Sequence, residues 1–125
     1  MASKYLPVSN GSSITLTAGS ADTKPAKGWS VISYFAGGLV SLARGLAVDL
    51  APIRVNVVRA GIVDTGLWGY MSDEAKEAFR RETEEKMLTG AMGRVEDVAE
   101  AYLWLIKDGN ATGTVAGTDS GALLV

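Results

Sequence analysis

Three side chains in this sequence are candidates for acid–base work: the Ser20 hydroxyl, the Tyr34 phenol and the Asp64 carboxylate. A phenol exchanges protons usefully near neutral pH only when a neighbouring cation stabilises its ionised form. Tyr34 lies in "GWSVISYFAGGL", and its neighbour one helical turn further on is Gly38. No lysine occurs between Lys27 and Lys76. Packing or hydrogen bonding at an interface is therefore the plainer role for Tyr34, and Ser20 has no partner to assist. Asp64 is the only carboxylate close to the turn "AGIVDT" and could act as a base there. An exposed aspartate is otherwise simply solvated. Trp68 and Tyr70 follow and could line an apolar pocket; packing in the core or under a lid accounts for them equally well. The chain has no histidine and no cysteine. That excludes Ser-His-Asp and Cys-His catalysis, disulfides and most zinc sites, so no metal centre is expected.

These groups must be held by regular elements. "SITLTA" at 13–18 is short, rich in β-branched residues and bounded by turn residues, which predicts a strand. "GSADTKPAK" at 19–27 reads as a loop. From Ser30 to Ala51 the apolar residues Leu39, Leu42, Ala43, Leu46, Ala47 and Leu50 recur at helical spacing, and Pro52 stops the run. Gly37, Gly38 and Gly45 each cost a helix ~1 kcal/mol relative to Ala. Their presence predicts close approach of another helix or a strand. "IRVNVV" at 53–58 is a second strand, followed by the irregular stretch 63–70. Ser72 is a good N-cap, with Asp73 and Glu74 at the positive end of the helix dipole. The helix it opens runs to about Leu88, supported by the i, i+4 pairs Glu77–Arg81 and Glu82–Lys86. With few apolar residues, it is a surface helix or a lid. Gly90 to Gly93 is a hinge-like break. A helix over 95–107 and a short strand over 114–118 complete the order strand, helix, strand, helix, helix, strand. Strands separated by helices imply parallel pairing through right-handed crossovers.

Bulk properties narrow the function. The chain has 125 residues, 47% hydrophobic and 21% charged, with a net charge of −2. This fits one soluble domain over residues 1–125. No basic patch draws it to nucleic acid or to an anionic membrane. The N-terminal residues lack the apolar core of a signal peptide. The longest apolar region, 31–53, is interrupted by Arg44 and Asp49 and reads as a buried helix rather than a membrane span. A cytoplasmic protein is the expectation.

Four segments together resemble the C-terminal half of the short-chain dehydrogenase/reductase family: "GSSITLTAG", "LARGLAVDLAPIRVNVVRAGIVDT", "GRVEDVAEAYLWLI" and "TGTVAGTDSG". The second matches the family's helix, strand and Pro-Gly-x-x-x-Thr turn, with Ala60 for the proline. The last matches its Thr-Gly-x-x-x-x-x-Asp-Gly-Gly ending. The resemblance covers essentially the whole chain. It implies an α/β fold: a partial Rossmann-like parallel sheet of about three strands, with flanking helices and a lid helix. It implies NAD or NADP as cofactor. By resemblance, Gly61, Ile62 and Thr65 contact the nicotinamide carboxamide. The same residues also suit a plain strand end with Thr65 capping a turn. The family's glycine-rich Thr-Gly-x-x-x-Gly-x-Gly loop, which holds the dinucleotide pyrophosphate, has no counterpart in this sequence. Binding of no cofactor is therefore an alternative expectation.

Family enzymes use a serine, a tyrosine thirteen residues later and a lysine four beyond that. Counting back from "LAVDL" places these positions at Gly19, Ile32 and Ala36, all chemically inert. Tyr34 does not rescue the site, because two residues turn a helix by ~200°. "KGWS" followed by small residues looks like a divergent subgroup of the family that lacks the tyrosine and lysine and occurs among natural-product tailoring enzymes. The expectation is a reductase-like protein without the usual Tyr-Lys hydride-transfer chemistry. One alternative is a non-catalytic dimerisation or interaction module, a homo-oligomer or partner complex formed through the helix Ser30–Ala51. The other is a non-redox lyase, isomerase or cyclase with a lid-covered apolar pocket.

Overall fold

The computed structural model describes residues 4–125. Six regular elements follow in order: β1 (Ser13–Gly19), α1 (Ser30–Asp49), β2 (Arg54–Ala60), α2 (Asp73–Lys86), α3 (Val95–Lys107) and β3 (Val115–Thr118). Short 3-10 turns at Ser20–Asp22 and Gly66–Trp68 follow β1 and β2. The sheet order is β1-β2-β3, and both pairings are parallel. This is the expected α/β, Rossmann-like partial sheet with helices on both faces. The second strand is longer than "IRVNVV" predicts and continues through Arg59 and Ala60. Those two residues pair with Ala18 and Gly19 on one side and with Gly117 and Thr118 on the other.

β2 is the central strand, and Arg54–Val58 are buried on both faces. Val55 and Val57 pack with Ala18 of β1 and with Val40 and Ala43 of α1. Val58 packs on the opposite face with Leu105 of α3, Ala111 and Ala116 of β3. A parallel strand covered on both sides reads as a continuous apolar run, as "VNVV" nearly does. The two polar residues of this run have structural work on the α3 side. The Asn56 amide donates to the Ala111 carbonyl (2.8 Å) and its oxygen accepts from the Thr114 amide (3.0 Å). The Arg54 guanidinium donates to the carbonyls of Leu105 (2.7 Å), Ile106 (2.8 Å) and Asp108 (2.8 Å) at the end of α3. There it faces the negative end of the helix dipole.

Two expectations about α1 need correction. It is not a buried helix: only Ala36, Val40 and Ala43 are buried, while Val31, Ile32, Tyr34, Phe35, Leu42 and Val48 are exposed. It ends at Asp49 because the Leu50 amide closes the last turn on Leu46. One face lies on the sheet, although α1 is long and apolar enough to cross a membrane by length and composition alone. Nor do Gly37, Gly38 and Gly45 meet a close neighbour among the described residues, since a Cβ at each would find nothing within 4 Å.

α2 begins as its sequence predicts, with the Ser72 hydroxyl accepting from the Ala75 amide (3.2 Å). The Lys86–Glu82 pair closes at 2.6 Å and Arg81–Glu77 at 4.0 Å. β1 forms one edge of the sheet.

Candidate functional site

Strands that all run the same way bring their C-terminal ends, and the loops that follow, to one edge of the sheet. Crevices at such an edge are where open α/β sheets bind ligands. Here the edge is built from the loop after Gly19, the turn Gly61–Thr65 and the segment from Asp119.

Gly61 is required by close backbone approach. Its amide donates to the Thr118 carbonyl (2.9 Å). A Cβ on it would lie 2.7 Å from the Asp119 Cα. Thr65 caps the next short turn, its hydroxyl accepting from the Leu67 amide (3.2 Å). Trp68 is locked by its indole N–H, which donates to the Val63 carbonyl (2.8 Å), and by the Phe79 ring of α2 at 4.9 Å.

Two cavities open on this framework. A cleft of about 450 Å³ lies between the turn and α3, lined by Thr17, Gly61, Thr65, Trp68, Val98 and Tyr102 among others. Among the described residues, no charged side chain lines it. A smaller cavity of about 210 Å³ lies beneath α2, against Asp64, Thr65, Trp68, Phe79 and Arg80. Asp64 forms an ion pair with Arg80. The hydrogen bond and charge of Asp64 raise the pKa of the Arg80 guanidinium above its ordinary value.

The structure distributes the sequence-predicted residues unevenly. Gly61 and Thr65 come together on the larger cleft, and Trp68 is shared by both cavities. Ile62 lines neither; its carbonyl accepts from the Gly93 amide (3.0 Å). Tyr70 is 79% exposed and also lines neither. Asp64 is not a free solvated carboxylate but the partner of Arg80. Ser20 opens the 3-10 turn, where its carbonyl accepts from the Thr23 and Lys24 amides. Tyr34 is 75% exposed, edge-on to Phe35. On the same helix Ile32 is exposed and Ala36 is buried, so neither position offers a polar group.

Two polar pairs escaped the sequence reading. The Thr17 and Tyr102 hydroxyls share a hydrogen bond of 2.5 Å in the larger cleft. Tyr102 belongs to the apolar face of α3, so its only signal was a hydroxyl in an otherwise apolar pattern. Arg59 pairs with Asp22 at 3.4 Å and donates to the Thr23 hydroxyl (3.1 Å), tying the loop after β1 to β2. The Asp22 side chain is only 8% exposed. Nothing in the composition of "GSADTKPAK" marks it as a buried ion-pair partner.

A flat ring bearing a neutral amide, such as nicotinamide, would suit the lining of the larger cleft. The cleft offers the Gly61 backbone and the Thr65 hydroxyl without charge.

Comparison with known proteins agrees with this fold. A family model described as an SDR-like Rossmann domain, SDR being the short-chain dehydrogenase/reductase family, matches residues 1–125. The chain is 45% identical over 121 residues to the short-chain dehydrogenase/reductase malC of Malbranchea aurantiaca, covering 97% of this chain and 46% of that protein. The solved MalC reductase/Diels–Alderase from the same organism superposes with a TM-score of 0.90 at 45% identity, over 98% of this chain and 47% of that one. A small-chain dehydrogenase solved in complex with NADPH superposes with a TM-score of 0.92 at 34% identity, over 98% of this chain and 55% of that one. The chain spans about half the length of the curated relatives it matches. It belongs to the short-chain dehydrogenase/reductase family.

Proposed function

We propose that this chain supplies the nicotinamide end of a reductase-type site in natural-product biosynthesis, and that it lacks the usual Tyr-Lys hydride-transfer chemistry. The observation that carries the reading is the uncharged lining of the cleft at the Gly61–Thr65 turn, which α3 walls and to which α1, with Ile32 and Ala36 at the relay positions, contributes no residue. Gly61 and Thr65 would hold the carboxamide. When bound, the nicotinamide supplies or accepts a hydride. Ile32 and Ala36 at the relay positions present no phenol–ammonium pair to deliver the accompanying proton. The Trp68 ring, wedged between the two cavities, would shield the reacting face from water.

A second reading is a non-redox cyclase. The Malbranchea aurantiaca relative is described as both a reductase and a Diels–Alderase, and a cycloaddition needs shape rather than proton transfer. The uncharged lining of the larger cleft supports this reading too. The exposed apolar side of α1, with its open glycines, supports a homo-oligomer or partner chain on that helix. Light scattering tests this last point, and a well-folded monomer would count against it.

The melting temperature of the chain should rise with NADPH or NADH at millimolar concentration. A ligand at one hundred times its Kd adds about 2.7 kcal/mol, which amounts to several degrees at this chain length. No shift with either cofactor would sink dinucleotide binding and leave the cyclase and interaction readings.

A further inference from the structure

The segment that follows β3 touches the loop after β1, the turn at Gly61 and the residues that follow α2. Asp119 lies directly against Gly61. The Ser120 carbonyl accepts from the Leu88 amide (3.1 Å), just beyond the end of α2. The Leu88 side chain packs onto Gly121 so closely that a Cβ there would lie 2.8 Å from it. The Ala122 carbonyl accepts from the Lys24 ammonium (3.0 Å) in the loop after β1. The backbone needed for this is unusual. Ser120 (φ 55°) and Gly121 (φ 78°) are both left-handed, a conformation that a serine adopts at a cost and keeps only when its surroundings enforce it. The Asp119 carboxylate helps by accepting from the Gly121 amide (3.0 Å).

α2 needs such an anchor. It has no extensive packing against any strand or against the other helices. Its first half is held to the site turn by Asp64–Arg80 and Trp68–Phe79. Its far end passes through Met87 and Leu88 to Gly90, whose φ of 68° marks a sharp change of direction. We propose that Asp119–Ala122 is a clasp that holds the C-terminal end of α2 closed over the smaller cavity, with Leu88 on Gly121 as its catch. Lid position is thereby coupled to the turn that carries Gly61, because both rest on the same four residues. Opening of this end requires that Leu88 leave Gly121 and that its amide leave the Ser120 carbonyl, with Gly90 as the hinge.

Hydrogen exchange on the 125-residue chain tests this directly. Leu88→Ala removes the catch without adding strain. Gly121→Ala fills the contact and forces a left-handed alanine. In both, the amides of α2 should exchange about tenfold faster, as a local opening does, while the amides of Val55–Val58 keep their wild-type rates. Ser120→Gly, which relieves the left-handed serine, should leave α2 at least as protected as in the wild type. Unchanged α2 exchange in Leu88→Ala would overturn the proposal. So would α2 and β2 amides accelerating together in Leu88→Ala, because the segment would then stabilise the whole fold rather than hold a lid. Should Gly121→Ala fail to fold, Leu88→Ala decides the question alone.

Discussion

An Arg54→Met variant should lose about 3–5 kcal/mol of stability, read as a fall in the urea midpoint with little change in slope. Arg54 is 4% exposed and has no carboxylate partner in its hydrogen-bond set. Its guanidinium is instead satisfied by carbonyls: Asn10 through Nε, Leu105 and Asp108 through one terminal nitrogen, and Ile106 through the other. The last three close the C-terminal end of α3, where carbonyls have no partners within the helix. Methionine fills much of the volume but takes the donor from the Leu105 and Ile106 carbonyls, at about 1–3 kcal/mol for each that water cannot reach, while the Asp108 carbonyl keeps the Ala111 amide (3.2 Å). Lysine should recover little of the loss. A single ammonium cannot span acceptors arranged around a planar fork. A fall below about 1 kcal/mol in Arg54→Met would mean that water caps α3 as well as Arg54 does.

Gly61→Ala should cost about 2–3 kcal/mol, near the upper end for forcing one methyl group into a packed site. Here the obstruction is the Asp119 backbone, at 2.7 Å from the new atom, and not the tip of a flexible side chain. The Gly61–Thr118 hydrogen bond holds these two backbones together, so relief requires parting β2 from β3 at the site. The variant should therefore lose any cofactor-dependent rise in melting temperature along with its stability. Gly37→Ala is the control. Its Cβ meets nothing within 4 Å inside a helix, and it should gain up to ~1 kcal/mol. Equal effects at positions 37 and 61 would show that helix propensity and close contact had been wrongly separated.

The fold was legible wherever a local pattern carried it. β1, β2 and α3 announce themselves by alternation, β-branching and helical spacing, and Ser72 caps α2 as its type demands. What the sequence concealed are contacts made across long stretches of chain. Arg54 and Asn56 read as ordinary strand residues, yet each is buried by groups more than fifty positions away. The exposure of α1 was hidden for a related reason. Apolar spacing reveals that a helix has a packing face, but not that Ile32, Phe35 and Val48 lie outside that face in the folded chain. Within the site, Gly61 and Thr65 were legible because a turn motif fixes backbone position. Tyr70 was not, because the 3-10 turn at Gly66–Trp68 carries it away from both cavities. Asp64 seemed isolated because its partner Arg80 belongs to the following helix.

The central claim is that α1 carries no proton relay, with Ile32 and Ala36 where a tyrosine and a lysine would stand. The most direct test is the loss of reduced-nicotinamide absorbance when the chain is mixed with NADPH and a series of aldehydes and ketones across neutral pH. The predicted result is no carbonyl-dependent oxidation above the protein-free rate. A carbonyl-dependent rate that scales with protein and saturates with substrate would contradict the claim.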